Sequence, residues 1–294
     1  MTSSTFETYI QQFTSEQFVR FCAERCPIPP DAIRERVTDY IGEVTVGLRL
    51  LDGTSIEAKR ALEVGAGLGL LGVWLRRRGV AVTLLEPGAG GFGANQQLLD
   101  ATLSWLHATD TPVLPIRAEQ LDPTQHGKFD VIYSVNVLEH IPPLEDALDG
   151  MRRVLAPGGM MRHTCPNYAV PYEPHYGIPL VPMLPKLTTV LVPRVADEEL
   201  WQSLNFVAYR RIVRYCKSRG FDYAFDRALL AEAFDRMDRD VEFRRRRGTA
   251  GVIAQRLMRL LRLRNLVARL PPRFATPMAF ACWHKLPRTG GHAP

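Results

Sequence analysis

Short apolar runs alternate with amphipathic segments between residues 58 and 168. Runs of four to eight apolar residues are typical of strands buried on both faces, and apolar residues three or four positions apart are typical of helices. The pattern therefore predicts a parallel β-sheet whose strands are joined by helices covering both faces. The strands are expected at 61–64, 80–85, 113–116, 129–136 and 160–164.

The flanking segments predict four units along the chain. Residues 6–26 and 31–51 have helical spacing, and we expect residues 1–57 to form an N-terminal helical unit, either packed on the domain or closing as a lid over its ligand. Residues 58–168 form the core, and 169–204 a proline-rich insertion, whose closely spaced prolines at 171–185 exclude helices and central strands in that stretch. Residues 205–294 add a helix at 205–219, strands at 221–225 and 277–285, and a basic helical insertion at about 240–273.

A glycine-rich turn joins the first predicted strand to the helix after it. The stretch Glu63-Val64-Gly65-Ala66-Gly67-Leu68-Gly69 can bring bare backbone N–H groups and a helix N-terminus close to a ligand. Its spacing departs from the G-x-G-x-x-G pattern of dinucleotide-binding folds, because Leu70 takes the place of the last glycine. An acid, Glu86, ends the second strand, where a carboxylate can accept hydrogen bonds from both hydroxyls of a bound ribose.

These features, taken in order, resemble the class I S-adenosylmethionine (SAM)-dependent methyltransferases. The glycine turn, Glu86 and Glu119 match three motif positions of that superfamily. Val137-Leu138-Glu139-His140-Ile141-Pro142 resembles the segment after the fourth strand in ubiquinone-type and related small-molecule O-methyltransferases, and Ala156-Pro157-Gly158-Gly159 the turn before the fifth strand. The resemblance implies a Rossmann-like α/β fold with a seven-stranded, mostly parallel sheet and an antiparallel last strand.

The resemblance also implies SAM as cofactor and S-adenosylhomocysteine (SAH) as product. Glu63 and the glycine backbone would face the methionine end of the cofactor, Glu119 the adenine amino group, and the end of the fourth strand would lie beside them. The predicted cofactor-binding residues are Glu63, Gly65, Ala66, Gly67, Gly69, Glu86, Pro87, Ala118, Glu119, Ser134, Val135 and Asn136.

Transfer of a methyl group to a hydroxyl of high pKa needs a base. The candidates are His140, after the fourth strand, and His175, in the proline-rich insertion, although a structural role for His140 is an equal alternative. His163, inside the fifth strand, is predicted to be structural. In ubiquinone-type relatives a Glu-x-x-Glu-His pattern can hold a divalent metal ion. Here Asn136 stands at the first position, and no metal site is predicted.

The charge is distributed unevenly along the chain. The net charge is +6, but the 52 residues after Glu242 hold twelve of the 37 basic residues and none of the 31 acidic ones, which gives +12 there and −6 before. This segment contains Arg244–Arg247 and an arginine–leucine helix expected at about 252–270. Three interpretations are open. The segment is a helical cover packed on the domain, with its arginines in solvent or paired to the acidic body, or residues 244–273 lie on an anionic membrane surface. The third is a surface that binds the phosphates of a nucleic acid. Nucleic acid is the least favoured because aromatic residues are not interleaved.

Five cysteines without a CxxC pair, no signal sequence and no long apolar run predict a cytoplasmic protein, with peripheral attachment to the inner face of a membrane as an alternative. The resemblance to the methyltransferases implies a SAM-dependent O-methyltransferase acting on a small-molecule or lipid-linked hydroxyl, in a glycan, a quinone-like compound or a secondary metabolite. The alternatives are an RNA or protein methylase that docks through Arg244–Arg247, and a non-catalytic SAM-binding scaffold.

Overall fold

A seven-stranded sheet forms the centre of the computed structural model, which describes residues 3–88, 93–181, 184–239, 244 and 248–285. Its strands follow the order β3-β2-β1-β4-β5-β9-β8, and β6 and β7 form a separate two-stranded hairpin. The strands are β1 Arg60–Val64, β2 Ala81–Leu85, β3 Val113–Leu114, β4 Phe129–Val135, β5 Leu155–Cys165, β6 Tyr172–Glu173, β7 Ile178–Pro179, β8 Phe221–Phe225 and β9 Met278–His284.

The strand directions confirm the predicted fold class. β1 to β5 run parallel to one another, and β9 lies antiparallel to both β5 and β8. Four of the five residues of β1 are buried, as are five of the seven of β4. Central strands covered on both faces need apolar residues at consecutive positions, which explains the continuous apolar runs of the sequence.

Helices cover both faces of the sheet. They are α1 Ser3–Gln11, α2 Glu16–Ala23, α3 Pro30–Leu51, α4 Leu70–Arg76, α5 Asn95–Trp105, α6 Pro123–His126, α7 Leu144–Val154, α8 Thr188–Leu191, α9 Glu199–Ser203, α10 Tyr209–Ser218, α11 Leu229–Arg239, α12 Gly248–Leu260 and α13 Arg264–Val267. One buried cluster packs the first five helices against one face of the sheet. A second cluster packs α7 and α10 against the other face.

Two predicted helices are interrupted. The segment 6–26 is two helices, because a 3₁₀ turn at Gln12–Thr14 ends the first and the Ser15 hydroxyl caps the second by accepting from the Phe18 N–H at 3.2 Å. The basic helix expected at 252–270 ends at Leu260 and resumes at Arg264. Between them Arg262 has a left-handed φ of 53°, which no continuous α-helix accommodates.

All five cysteines are free and buried. Among the described residues, no helix has both the length and the apolar character that a membrane crossing requires.

Candidate active site

The glycine turn between β1 and α4 adopts backbone conformations that favour glycine. Gly65, Gly67 and Gly69 have φ values of 69°, 55° and 71°. The N–H groups of Gly65 and Ala66 both donate to the Leu85 carbonyl, at 2.8 and 3.1 Å, which fixes the turn to the end of β2. Side chains also approach the turn so closely that a Cβ would collide, with Val137 at Gly65 and the Tyr40 ring at Gly67.

Glu86 lies at the end of β2 and is 5% exposed. Its two carboxylate oxygens accept from the N–H groups of Gly67, at 2.8 Å, and Gly88, at 3.0 Å. Burial raises the pKa of this carboxyl, and the two backbone donors oppose the shift. The residue predicted to hold the ribose is therefore joined directly to the glycine turn.

Glu63 lies in β1, and its carboxylate is turned toward the start of α4. An added Cβ at Gly72 would lie 2.5 Å from Glu63 Oε2, and this buried oxygen has no hydrogen-bond partner among the described residues. Burial raises the Glu63 pKa to about 8. Burial therefore disfavours the charged form of this carboxyl.

The 3₁₀ turn Ala118–Gln120 follows β3 and carries Glu119, which is predicted to contact the adenine amino group; we call this turn the adenine station. Ala118 is buried and Glu119 is half-buried. The turn lies against Gly150 of α7, where an added Cβ would be 2.9 Å from the Ala118 carbonyl carbon and 3.1 Å from Glu119 Cα. Glycine at this position lets α7 approach the turn backbone directly.

At the end of β4, Ser134 and Asn136 form hydrogen bonds with different elements of the fold. Ser134 is buried, and its hydroxyl forms a 2.7 Å hydrogen bond with His163 Nδ1 of β5. Burial lowers the His163 pKa to about 3, and the ring is enclosed, as expected for a structural histidine. Val135 is half-buried. Asn136 has a φ of 52°, and its side-chain amide donates to Glu43 Oε1 of α3 at 3.2 Å.

The predicted cofactor residues thus lie at or just after the carboxyl ends of β1, β2, β3 and β4, which are neighbours in the sheet. Because these strands are parallel, their carboxyl ends share one edge, the usual ligand-binding edge of such folds. Pro87 follows Glu86 after the end of β2 and lies at the same edge.

Three side chains converge just beyond β4. Glu139 and His140 lie on the 3₁₀ turn Leu138–His140, and His175 lies in the hairpin between β6 and β7. One carboxylate oxygen and one nitrogen from each ring all lie within 4.8 Å of one another. Glu139 Oε1 is 3.9 Å from His175 Nε2, and the two imidazole rings are 5.2 Å apart between centroids. The structure therefore brings together both histidines that the sequence singled out; we call these three residues the Glu139 cluster.

Polar partners orient both imidazoles. His175 Nδ1 lies 2.6 Å from Glu173 Oε1, and His140 Nδ1 lies 2.8 Å from the Ser203 hydroxyl. Glu173 is fully buried and also accepts from the Tyr168 hydroxyl and the Tyr176 N–H, at 3.1 and 2.8 Å. These contacts hold each ring with Nδ1 turned away from the cluster.

Burial changes the pKa of the clustered groups in opposite directions. It raises the pKa of Glu139 to about 7, an effect that the nearby His175 reduces, and it lowers the pKa of His140 to about 3. For Glu173 burial raises the pKa, but the hydrogen bond and charge of His175 outweigh it, and the net shift is downward. The cluster is thus a low-dielectric site with a neutral His140.

Sequence reasoning missed Tyr40 and Glu43, two residues of α3 at the glycine turn and the end of β4. The Tyr40 hydroxyl accepts from Asn95 Nδ2 at 2.7 Å, and Asn95 Oδ1 accepts from Arg36 at 3.0 Å. Burial raises the Glu43 pKa to about 8. Positions 36, 40, 43 and 47 repeat at helical spacing, and polar residues on that stripe were the available signal.

Ser203 was missed as well, and Glu173 was not among the predicted site residues. Glu173 stands two positions before His175, and that short acid–histidine spacing was its only signal. Ser203 had none, because α9 reaches His140 only through the tertiary fold.

The comparisons with known proteins agree with this geometry. A family model described as a methyltransferase domain matches residues 35–227, more than half of the chain. An uncharacterized protein of Mycobacterium tuberculosis is 34% identical over 218 residues, which cover 71% of this chain and 73% of that protein. A ubiquinone biosynthesis O-methyltransferase of Psychrobacter cryohalolentis is 34% identical over 110 residues, 36% of this chain and 40% of the enzyme.

Among solved structures, phosphoethanolamine N-methyltransferase 2 of Haemonchus contortus, in complex with SAM, resembles the fold. The TM-score is 0.50 at 16% identity, and the match covers 82% of this chain and 53% of that one. The strand order, the glycine turn and the family model support the same assignment. The chain belongs to the class I methyltransferase family, whose methyl donor is SAM.

Proposed function

We propose that the protein transfers the methyl group of SAM to a hydroxyl of a small-molecule or lipid-linked acceptor. The observation that carries the proposal is the position of the Glu139 cluster. Val137 packs on Gly65 of the glycine turn, and Glu139 follows only two residues later. The cluster therefore lies beside the part of the cofactor site where the methionine end of SAM, and hence the methyl group, is expected.

The proposal gives the cofactor residues the roles that the family resemblance implies. Glu86 accepts from the ribose hydroxyls, the turn from Gly65 to Gly69 and Glu63 hold the methionine end, and Glu119 reaches the adenine amino group. Methyl transfer from a sulfonium then requires an in-line arrangement of acceptor oxygen, methyl carbon and sulfur, with water excluded. The acceptor hydroxyl lies on the Glu139 cluster, where an imidazole takes its proton as the carbon–oxygen bond forms and the methyl–sulfur bond breaks.

The test is methyl transfer from labelled SAM to a panel of hydroxyl acceptors that includes quinols, phenols, glycans and lipid-linked sugars. We expect a methyl ether product, and His140→Ala to lower kcat/KM on the order of 100-fold or more, the size of a lost catalytic group. The control is His126→Ala, which changes a histidine on α6 that lies outside the cluster. SAH binding should stay within about twofold in both variants, because neither histidine is among the proposed cofactor-binding residues.

Two results would contradict the O-methyltransferase proposal. Label transferred to RNA, and lost when Arg244–Arg247 are changed to alanine, would favour the RNA-methylase alternative; residues 245–247 lie outside the described part of the chain. SAH binding without product from any acceptor would favour the scaffold.

We also propose that the C-terminal helices dock on an anionic membrane surface, which would suit a lipid-linked acceptor. The supporting observation is a set of exposed apolar side chains on and between α12 and α13. Their exposed fractions are 51% for Ile253, 50% for Leu257, 79% for Leu260, 58% for Leu261 and 64% for Leu266.

Two ion pairs join these helices to α11 while the leucines remain exposed. Arg259 pairs with Asp238 at 3.2 Å and Arg264 pairs with Asp235 at 2.6 Å, and both acids belong to α11. The cover interpretation therefore accounts for these two arginines but not for the apolar side. An apolar face beside basic residues, with no acid after Glu242, suits anionic headgroups.

We expect the protein to float with phosphatidylglycerol vesicles at low salt. The double change Leu257→Asp/Leu260→Asp should reduce retention by about tenfold or more, since each leucine contributes roughly 1.5–3 kcal/mol when buried. Ser104→Asp/Ser218→Asp is the charge-matched control, at exposed positions of α5 and α10, and should be retained like the parent. Equal retention of both variants, or none of the parent, would refute membrane docking.

A further inference from the structure

The residue that replaces the first acid of the metal-binding pattern of ubiquinone-type relatives is an amide that is hydrogen-bonded to α3. Asn136 has a left-handed φ of 52°, and its amide donates to Glu43 of α3. A neutral amide supplies no anionic oxygen to an ion held by Glu139 and His140. The strand end alone is therefore an incomplete ligand set.

We propose that His175 supplies the missing ligand, and that Glu139, His140 and His175 together bind one divalent transition-metal ion. The three ligand atoms come from two separate segments and lie within 4.8 Å of one another. Metal–ligand bonds of about 2.0–2.2 Å are within reach of small side-chain rotations from that arrangement. The prediction of no metal site, which rested on Asn136 alone, did not include a ligand from the proline-rich insertion.

The state of Glu139 supports a cation at this place. The residue is 0% exposed, and neither carboxylate oxygen has a hydrogen-bond partner among the described residues. A buried carboxylate without hydrogen bonds is costly, and a cation would compensate for the lost solvation. Glu173, equally buried, is instead satisfied by Tyr168, Tyr176 and His175, which marks it as a supporting group and not as a ligand.

The hydrogen bonds of the histidines have the form found around metal ligands. In such sites the ring nitrogen that does not bind the metal is held by a carboxylate or another polar group, which fixes the ring orientation. Here Glu173 holds Nδ1 of His175, and Ser203 holds Nδ1 of His140. In both rings Nε2 is therefore the atom suited to bind the ion.

The donor set indicates the class of ion. Two imidazoles and one carboxylate suit Zn²⁺, Fe²⁺ or Co²⁺ better than Mg²⁺, which prefers oxygen ligands. Three protein ligands leave coordination positions open, as in catalytic sites. When bound, such an ion supplies Lewis acidity that lowers the pKa of a hydroxyl beside it. This use in catalysis rests on the proposed O-methylation, whereas binding of the ion does not.

The experiment is titration of the chelator-treated full-length protein with Co²⁺, monitored by visible absorption. In a parallel titration with Zn²⁺, the bound metal is measured after gel filtration. We expect one ion per chain and a Co²⁺ absorption band. His175→Ala should weaken Co²⁺ binding by roughly 100-fold or more and remove the band, and Glu173→Gln should weaken it by about 10–100-fold, as is usual for a supporting residue. The exposed His107→Asn variant should bind like the parent.

SAH titration of every variant reports whether the cofactor site remains folded. Less than one tenth of an ion per parent chain, or a His175→Ala variant that binds Co²⁺ as tightly as the parent, would overturn the metal site. The outcome is independent of the proposed reaction. Bound metal without product from hydroxyl acceptors contradicts only the proposed O-methylation, and O-methylation by metal-free protein contradicts only the use of the ion in catalysis.

Discussion

Replacing Glu86 by alanine is expected to weaken SAH binding by about 100-fold or more. A hydrogen bond to a charged group contributes roughly 1.5–3 kcal/mol, and the Glu86 carboxylate is proposed to make two with the ribose hydroxyls. It also accepts from the N–H groups of Gly67 and Gly88, so its loss releases the glycine turn. Calorimetric titration with SAH measures the effect, and NADH, which needs a different glycine spacing, serves as the control ligand.

Asp130→Ala is the matched control variant. The Asp130 carboxylate also accepts from a backbone N–H, that of Arg60 at 2.9 Å, but this contact is at the beginning of β1 and therefore at the opposite edge of the sheet. We expect its SAH affinity to stay within about twofold of the parent. Unchanged binding by Glu86→Ala would show that the ribose lies elsewhere, and a parent that binds no SAH would leave the glycine turn without its proposed ligand.

The sheet was predictable from the sequence because its central strands are buried on both faces. A strand such as β4 needs apolar residues at nearly every position, and the turn after β1 needs glycine at three left-handed positions. Both requirements are local, so they are visible as runs and spacings along the chain. The interruptions at Gln12–Thr14 and Arg262 were missed because the apolar spacing continues through both breaks.

The Glu139 cluster was predictable only in part. His140 follows β4 in a recognisable segment, but its approach to His175 depends on a hairpin, β6–β7, of only two residues per strand. Prolines exclude helix in this region without indicating where the chain turns. Glu173 and Ser203 become important only through tertiary contacts with the two rings. Information of that kind is absent from local periodicity.

Replacing Gly150 by alanine is expected to destabilise the protein by about 3 kcal/mol, at the upper end of the usual overpacking cost. The new Cβ would collide with the Ala118 carbonyl oxygen and lie 3.1 Å from Glu119 Cα. These are backbone atoms of a 3₁₀ turn, so no side-chain rotation relieves the contact, and either α7 or the turn must move. Because this turn is the proposed adenine station, we expect weaker SAH binding as well as a lower Tm.

Gly42→Ala separates the collision from the effect of adding a methyl group to a helix. Gly42 lies in α3, and its added Cβ would lie 3.3 Å from the end of the flexible Arg236 side chain, which can shift. We expect this variant to gain up to about 1 kcal/mol from helix propensity. Thermal and urea unfolding measure both variants. If Gly150→Ala were as stable as the parent, α7 would not press on the turn, and the link between helix packing and the adenine station would have to be abandoned.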